Sequence, residues 1–175
     1  MLSHEDLQQL YEQHGAALVL YARQWSNAPD DALQEAMMEL TKLKQSPKDV
    51  LAWLYAATKR RSMNIARAEK RRLHHQSAAA ESKVDWFDCP TFDASRAELG
   101  PRVAAGLEQL EAEEREVVVA RVWGGLTFEQ IGQLVGCSSS AAHRRFLAAL
   151  EKLRTYVAVD EPYRESACAE DSTGK

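Results

Sequence analysis

Residues 126–154 constrain the fold most, because their pattern predicts two helices joined by a tight turn. Thr127 is a favourable N-cap, and Gln130 follows at the spacing of a capping box. Four apolar side chains then recur at helical spacing: Phe128, Ile131, Leu134 and Val135. Gly136 can adopt the left-handed conformation that ends a helix, so the turn is predicted at residues 136–138.

The second helix is predicted to start at Ser138 or Ser139 and to be the longer of the two. Its predicted inward residues are Ala142, Phe146, Ala149, Leu150 and Leu153. The outer residues with DNA-binding chemistry are Ser139, Ser140, His143, Arg144, Arg145 and Lys152. Small residues and hydrogen-bond donors at the start of the second helix favour a DNA-reading helix-turn-helix. The alternative is a helical hairpin whose second helix has a solvated basic face.

The chain has 175 residues, enough for one core or two small ones, and 45% of its residues are hydrophobic with only 8 Gly and 5 Pro. This composition is typical of a soluble helical protein. The formal net charge of −4 is unexpected for a DNA-binding protein, because neutralised phosphates supply most of the affinity for duplex DNA. The basic residues are concentrated in two blocks, at 59–72 and 144–154. We therefore expect weak binding to nucleic acid by the chain alone and a requirement for a partner.

No targeting or membrane-spanning pattern is recognisable, so the expected location is the cytoplasm. The three cysteines, Cys89, Cys137 and Cys168, are far apart in the sequence. They predict neither a disulfide framework nor a zinc site.

Three helices are predicted before residue 77. The first is capped by Ser3 and runs to about Trp25, with Leu7, Leu10, Tyr11, Leu18, Tyr21, Ala22 and Trp25 on one face. The second covers roughly Asp30–Lys44. The third is predicted to begin after Ser46-Pro47 and to run from Lys48 to about Gln76.

Two of these helices carry opposite charges. Asp31, Glu35 and Glu39 recur every four residues on the second helix, a face suited to a basic protein surface. The third helix carries the basic block, which can hold the phosphates of partly melted DNA. Trp53 or Tyr55 could stack on an exposed base, although aromatic residues at helical spacing more often belong to a core.

The predicted fold class is all-α, with two small helical domains joined by a flexible linker. A three-helix domain is expected at 1–76, a linker at 77–100 where periodicity is lost, and a disordered acidic tail at 157–175. The domain at 101–156 is expected to add helices at Arg102–Leu110 and Glu113–Trp123 before the helix-turn-helix.

Four sequence segments, in this order and spacing, resemble the extracytoplasmic-function class of bacterial RNA polymerase sigma factors, within the sigma-70 family. Residues 31–35 are similar to the Asp-x-x-Gln-Glu helix of region two, and 53–55 begin a helix similar to the one that meets the minus-ten element. Residues 107–117 resemble the first two helices of region four, and 126–132 resemble the start of its helix-turn-helix.

The resemblance implies a factor that binds core RNA polymerase, recognises promoter DNA and directs transcription initiation. It implies that the region-two-like domain meets the polymerase with Asp31, Gln34, Glu35 and Glu39. It implies minus-ten contacts from Trp53, Lys59, Arg60, Arg61, Asn64, Arg67 and Arg71. The outer residues of the second helix of the helix-turn-helix would then meet the minus-thirty-five element. An anti-sigma protein is a further candidate partner, and no membrane association is expected.

Some positions depart from the family pattern. Arg60 stands where the family commonly has Asn, and Ala141-Ala142 replace a usual Thr-Val pair, whereas Asn64 agrees with the Asp or Asn that is usual at its position. The loop at Gln45–Asp49, which in the family captures a flipped base, is shorter than usual. No promoter sequence is therefore predicted.

Two other functions fit the same residues: a helix-turn-helix regulator that acts without core polymerase, and a helical adaptor that binds no DNA. Enzymatic chemistry is weakly supported. His74-His75 and Cys89 lack metal-ligand spacing, and Ser138–Ser140 lack a nucleophile elbow. We predict no enzymatic activity, no cofactor and no metal.

Overall fold

The computed structural model of the chain describes residues 3–76 and 100–158. These residues form seven helices and no strands: α1 His4–Ala22, α2 Pro29–Lys42, α3 Val50–Gln76, α4 Gly100–Glu108, α5 Ala112–Val122, α6 Phe128–Val135 and α7 Ser139–Ala158. The all-α prediction is confirmed. The predicted linker, apart from Gly100, and the predicted tail beyond the end of α7 lie outside the described residues. None of the helices described combines the length and apolar character that a membrane crossing requires.

The N-terminal unit, α1–α3, starts as predicted but differs at its third helix. Ser3 and Asp6 form a capping box, with Asp6 N–H donating to Ser3 Oγ at 3.1 Å and Ser3 N–H to Asp6 Oδ2 at 2.8 Å. The predicted start of α3 after Ser46-Pro47 is wrong, since the helix begins at Val50. Asp49 caps it instead, because its carboxylate accepts the Ala52 N–H at 2.9 Å.

The C-terminal unit, α4–α7, contains the predicted helix-turn-helix. Thr127 and Gln130 form the predicted capping box. Gly136 ends α6 at φ 74° and ψ 37°, the left-handed conformation. Ser138 Oγ accepts the Ala141 N–H at 3.2 Å and so caps α7. The local signals in this segment therefore predicted its geometry correctly.

Several apolar residues are not where helical periodicity placed them. Tyr11 and Leu150, both predicted inward, are 57% and 38% exposed, whereas Leu20 is buried. Periodicity finds the apolar side of a helix but not how far along it the neighbouring helices extend. Ala142 and Ala149 are fully buried in α7, so small side chains mark the line of closest packing there.

The two units share one hydrophobic core. Within the N-terminal unit α3 packs on α2 and α1, and within the C-terminal unit α7 packs on α4, α5 and α6. Across the units, α1 contacts α5 and α3 contacts α6. The first helix of the helix-turn-helix is thereby held against the basic helix of the N-terminal unit.

Alanine at Gly132 should lower the free energy of unfolding by about 1–3 kcal/mol, the usual cost of overpacking. A Cβ atom there would lie 2.7 Å from the Cys137 carbonyl oxygen, a backbone atom of the turn that cannot rotate away. Gly15 is the matched control, because a Cβ on that helical glycine would make only an ordinary 3.5 Å contact with the Tyr11 ring. Gly15→Ala should stabilise the chain. Urea denaturation followed by circular dichroism measures both changes, and equal stability of the two variants would contradict the prediction.

Candidate nucleic-acid interface

The first two turns of α7 present the predicted base-reading residues to solvent. Ser139, Ser140, His143 and Arg144 are all exposed. The His143 ring lies against the Phe128 ring, with centroids 4.7 Å apart, so part of its orientation is set by α6. Arg144 is exposed next to it in the second turn of α7. The structure thus brings four of the six predicted residues together on one open surface.

The other two predicted residues, Arg145 and Lys152, bind the start of α5. Arg145 Nη1 lies 3.0 Å from Glu113 Oε2, and Lys152 Nζ lies 2.6 Å from Glu114 Oε1. These pairs are partly solvent-exposed and contribute little to stability. They nevertheless orient the two cations toward α5 and away from the exposed surface of the first turns of α7.

Arg121, which the sequence analysis did not single out, positions the helix-turn-helix. Its guanidinium carbon lies 4.8 Å from the centroid of the Phe128 ring, and its Nη1 donates to the Leu126 carbonyl at 2.7 Å. Phe128 also packs on Phe146 of α7, with centroids 5.5 Å apart. The two helices of the motif are therefore fixed to each other and to α5.

The predicted acidic and basic faces of the N-terminal unit are ion-paired with each other. Glu39 accepts from Arg60 Nη2 at 2.7 Å and from Arg61 Nη2 at 2.8 Å. Arg61 also lies 3.4 Å from Glu35. The hydrogen bonds from Arg61, and then those from Arg60, hold the pKa of Glu39 below its ordinary value against the opposing effect of burial.

Asp31 and Gln34 remain exposed on α2, away from these ion pairs. Along α3, Asn64, Arg67 and Arg71 are also exposed, and Arg67 Nη1 lies 3.4 Å from Asn64 Oδ1. The ion pairs between α2 and α3 therefore occupy only part of the acidic face of α2 and part of the basic face of α3. Some of its residues are available to a partner, and others must first leave an intramolecular pair.

The two aromatic candidates for base stacking are placed differently. Trp53 is partly buried against the core. Tyr55 is fully buried, and its burial raises the pKa of the phenol. In this arrangement Tyr55 belongs to the core, and stacking on a base is excluded for it.

Lys59 of the basic block is held by Glu116 of α5. Lys59 Nζ lies 2.7 and 2.8 Å from the two carboxylate oxygens of Glu116, and Tyr21 Oη donates to Oε1 at 2.6 Å. Burial and the neighbouring Glu116 raise the pKa of Tyr21 well above its ordinary value, so its hydroxyl stays a donor. Sequence analysis missed the role of Glu116. The sequence did contain a signal for it, because Glu116 precedes Val119 and Ala120 by three and four residues. Both of those residues are buried, so this spacing places the carboxylate on the packed side of α5.

A cleft of about 330 Å³ lies between α3 and α6. Its lining residues are Ala56, Lys59, Arg60, Met63, Arg67, Gln133 and Leu134. Near one end of α3, Gln130 Nε2 donates to Asp49 Oδ2 at 2.5 Å. Three candidate DNA-contacting cations of α3, Lys59, Arg60 and Arg67, lie on one side of the cleft. The first helix of the helix-turn-helix, α6, lies on the other side.

Within 3–76 and 100–158, no cluster of three or more His, Cys, Asp or Glu residues is arranged to hold a metal ion. The side chains of His74 and His75, and all of Cys89, lie outside the described residues. Ser138 caps α7 and so has a structural role.

Comparisons with known proteins agree with the arrangement of the helices. Residues 106–155 match the family Sigma-70, region 4. A comparison with curated protein sequences found no match.

Two similar solved structures each cover 90% of this chain. CnrH in complex with the cytosolic domain of CnrY is 21% identical, with a TM-score of 0.61 over 91% of that chain. The sigma factor RpoE in complex with the anti-sigma factor NepR, from Bartonella quintana, is 16% identical, with a TM-score of 0.60 over 99% of that chain. The fold is that of these proteins, and the predicted resemblance to sigma factors is confirmed for residues 106–155.

Proposed function

We propose that this chain is a sigma factor that binds core RNA polymerase, recognises promoter DNA through both of its units and directs transcription initiation. The match of residues 106–155 to sigma-70 region 4 carries the proposal. That segment includes α5, α6 and nearly all of α7, the helices that build the exposed surface of Ser139, Ser140, His143 and Arg144.

In this proposal α7 enters the major groove at the minus-thirty-five element. Hydroxyl, imidazole and guanidinium groups in its first two turns supply donors for base edges. Arg144 is the candidate for a bidentate contact with guanine. Arg145 and Lys152 lie closer to α5 and are assigned to phosphates, where they would exchange Glu113 and Glu114 for the DNA backbone.

The minus-ten element is assigned to α3. Asn64, Arg67 and Arg71 are exposed and can meet DNA directly. Lys59, Arg60 and Arg61 are ion-paired and would contact phosphates only after leaving Glu116, Glu39 and Glu35. Trp53 is retained as a candidate contact at the start of the same helix.

We assign binding of core polymerase to the exposed polar surface of α2 that contains Asp31 and Gln34. Glu35 and Glu39 lie at its edge, paired with Arg60 and Arg61 of α3. A protein partner is also proposed, because both similar structures are complexes. One of those partners is an anti-sigma factor, so a protein of that kind is the candidate regulator here. On this function the chain needs no cofactor and catalyses no reaction of its own.

In vitro transcription with bacterial core polymerase on genomic fragments from the same organism tests the proposal. Addition of the chain should produce discrete transcripts that core polymerase alone does not make, and the chain should co-purify with core. Operator-specific binding by a symmetric dimer without core would support a conventional regulator instead. Binding to neither core nor DNA would leave only the adaptor function.

A further inference from the structure

Leu147 is an exposed apolar residue on the outer face of α7. Its side chain is 51% exposed, although the preceding residue, Phe146, packs on Phe128 of α6. Residues three and four positions apart lie on the same face of an α-helix. Leu147 is three residues beyond Arg144 and four beyond His143, so it extends the exposed surface of these two residues by one turn.

Around the helix axis, Leu147 lies between His143 and Arg144. A helix turns by about 100° per residue, which places Leu147 about 40° from His143 and about 60° from Arg144, in the arc between them. The buried Ala142 and Ala149 mark the opposite side of α7. Along the axis, Leu147 is about 4.5 Å beyond Arg144, little more than the spacing of about 3.4 Å between base pairs. A major groove that meets His143 and Arg144 therefore also receives Leu147.

The chemistry of leucine limits what Leu147 can contact on DNA. Binding to the phosphate backbone requires cations or hydrogen-bond donors, and a leucine side chain supplies neither. In the major groove the bases present acceptors, amino groups and one apolar group, the C5-methyl of thymine. Leucine against a polar base edge would remove water from that edge without replacing its hydrogen bonds, which is unfavourable. An apolar side chain at this place therefore favours thymine over the other three bases.

We propose that Leu147 is a specificity-determining residue of α7, which packs on the methyl group of a thymine in the minus-thirty-five element, next to the base pair assigned to Arg144. This inference rests on the proposed sigma function and adds one base to what the chain recognises. A protein partner is the other candidate for covering an exposed leucine. DNA is favoured, because the exposed neighbours of Leu147 toward the start of α7 are Ser140, His143 and Arg144, whose donors suit base edges.

Replacement of single thymines by deoxyuridine tests the proposal, because deoxyuridine pairs as thymine does but lacks the C5-methyl group. The duplexes carry the upstream element that the wild-type holoenzyme prefers, with one thymine replaced in each. Binding of the wild-type holoenzyme should weaken about fourfold at one thymine, the effect of losing one buried methyl group. Holoenzyme with Leu147→Ala should bind the thymine and deoxyuridine duplexes equally at that position. It should still prefer the base assigned to Arg144.

Leu150→Ala is the matched control. It shortens another leucine of α7, which is 38% exposed and lies three residues farther from the base-reading turns. Holoenzyme with this variant should keep the loss of affinity at the same deoxyuridine. Because both leucines are exposed, circular dichroism and thermal stability should be nearly the same for the two variants and the wild type.

Equal binding of all deoxyuridine and thymine duplexes by the wild-type holoenzyme would overturn the methyl contact and leave the sigma function intact. A loss of affinity at the same deoxyuridine with Leu147→Ala would overturn the assignment of that contact to Leu147. If Leu147→Ala also lowered transcription equally on all upstream sequences, the leucine would belong to a contact with a protein. No promoter binding by the wild-type holoenzyme would overturn the sigma function and this inference together.

Discussion

Asp31→Arg should weaken binding to core RNA polymerase at least about thirtyfold, which corresponds to about 2 kcal/mol, the usual threshold for an interface hot spot. Asp31 is exposed in the first turn of α2, and no other helix of the described chain covers it. A positive charge there would face the basic polymerase surface that the acidic face is proposed to meet. Because the side chain is at the surface, thermal stability should change by no more than about half a kcal/mol. Competition for core with a labelled copy of the chain measures the affinity.

The control for Asp31→Arg is Glu12→Arg, which makes an equal charge reversal at an exposed position of α1. It should leave core affinity unchanged. Glu39 is unsuitable for this test, because its reversal would break hydrogen bonds to Arg60 and Arg61 and place three cations together. Loss of core binding by a Glu39 variant would then reflect a disturbed fold and not a lost contact with the polymerase. If Asp31→Arg bound core as tightly as the control, the exposed part of α2 would have to be removed from the polymerase interface.

Arg144→Ala should reduce affinity for the preferred upstream promoter element by about 1–3 kcal/mol and relax the base preference at one position, the effect of losing a bidentate contact with guanine. Arg144 is exposed in the second turn of α7, on the same surface as His143 and the two serines. Selection of promoters from a randomised upstream element, carried out with holoenzyme, measures the preference at every position.

Lys152→Ala is the matched comparison, because it removes a cation from the same helix at a site directed toward Glu114. It should weaken binding to all promoter sequences equally. It should also reduce the slope of log affinity against log salt concentration by about one. His143→Ala should have an intermediate effect, since its ring is held against Phe128 and only part of it faces outward. An unchanged selected sequence with Arg144→Ala, together with an altered one with Lys152→Ala, would show that α7 is docked the other way round.

Local sequence signals predicted the helix-turn-helix closely. Thr127 with Gln130, and Gly136 at the end of α6, act within one helical turn, so their geometry depends on few other residues. The same holds for the capping box of Ser3 and Asp6. The start of α3 was wrong because Ser46-Pro47 and Asp49 are competing local signals. Only the placement of the whole loop between α2 and α3 decides between them.

Local patterns in the sequence predict the helices, the caps at Ser3, Thr127 and Gly136, and the side of α7 that carries exposed donors, because each depends on residues three or four positions apart. Which side chains from different helices contact each other depends on how those helices pack in the folded chain. Glu116 meets Lys59 and Tyr21 because helices far apart in the chain pack side by side, and Arg60 and Arg61 are turned toward Glu39 because the consecutive helices α2 and α3 pack on each other. A charged residue has the same local pattern whether it faces water, DNA or another helix. What it binds depends on which surface covers it, and that is settled by packing of the entire chain.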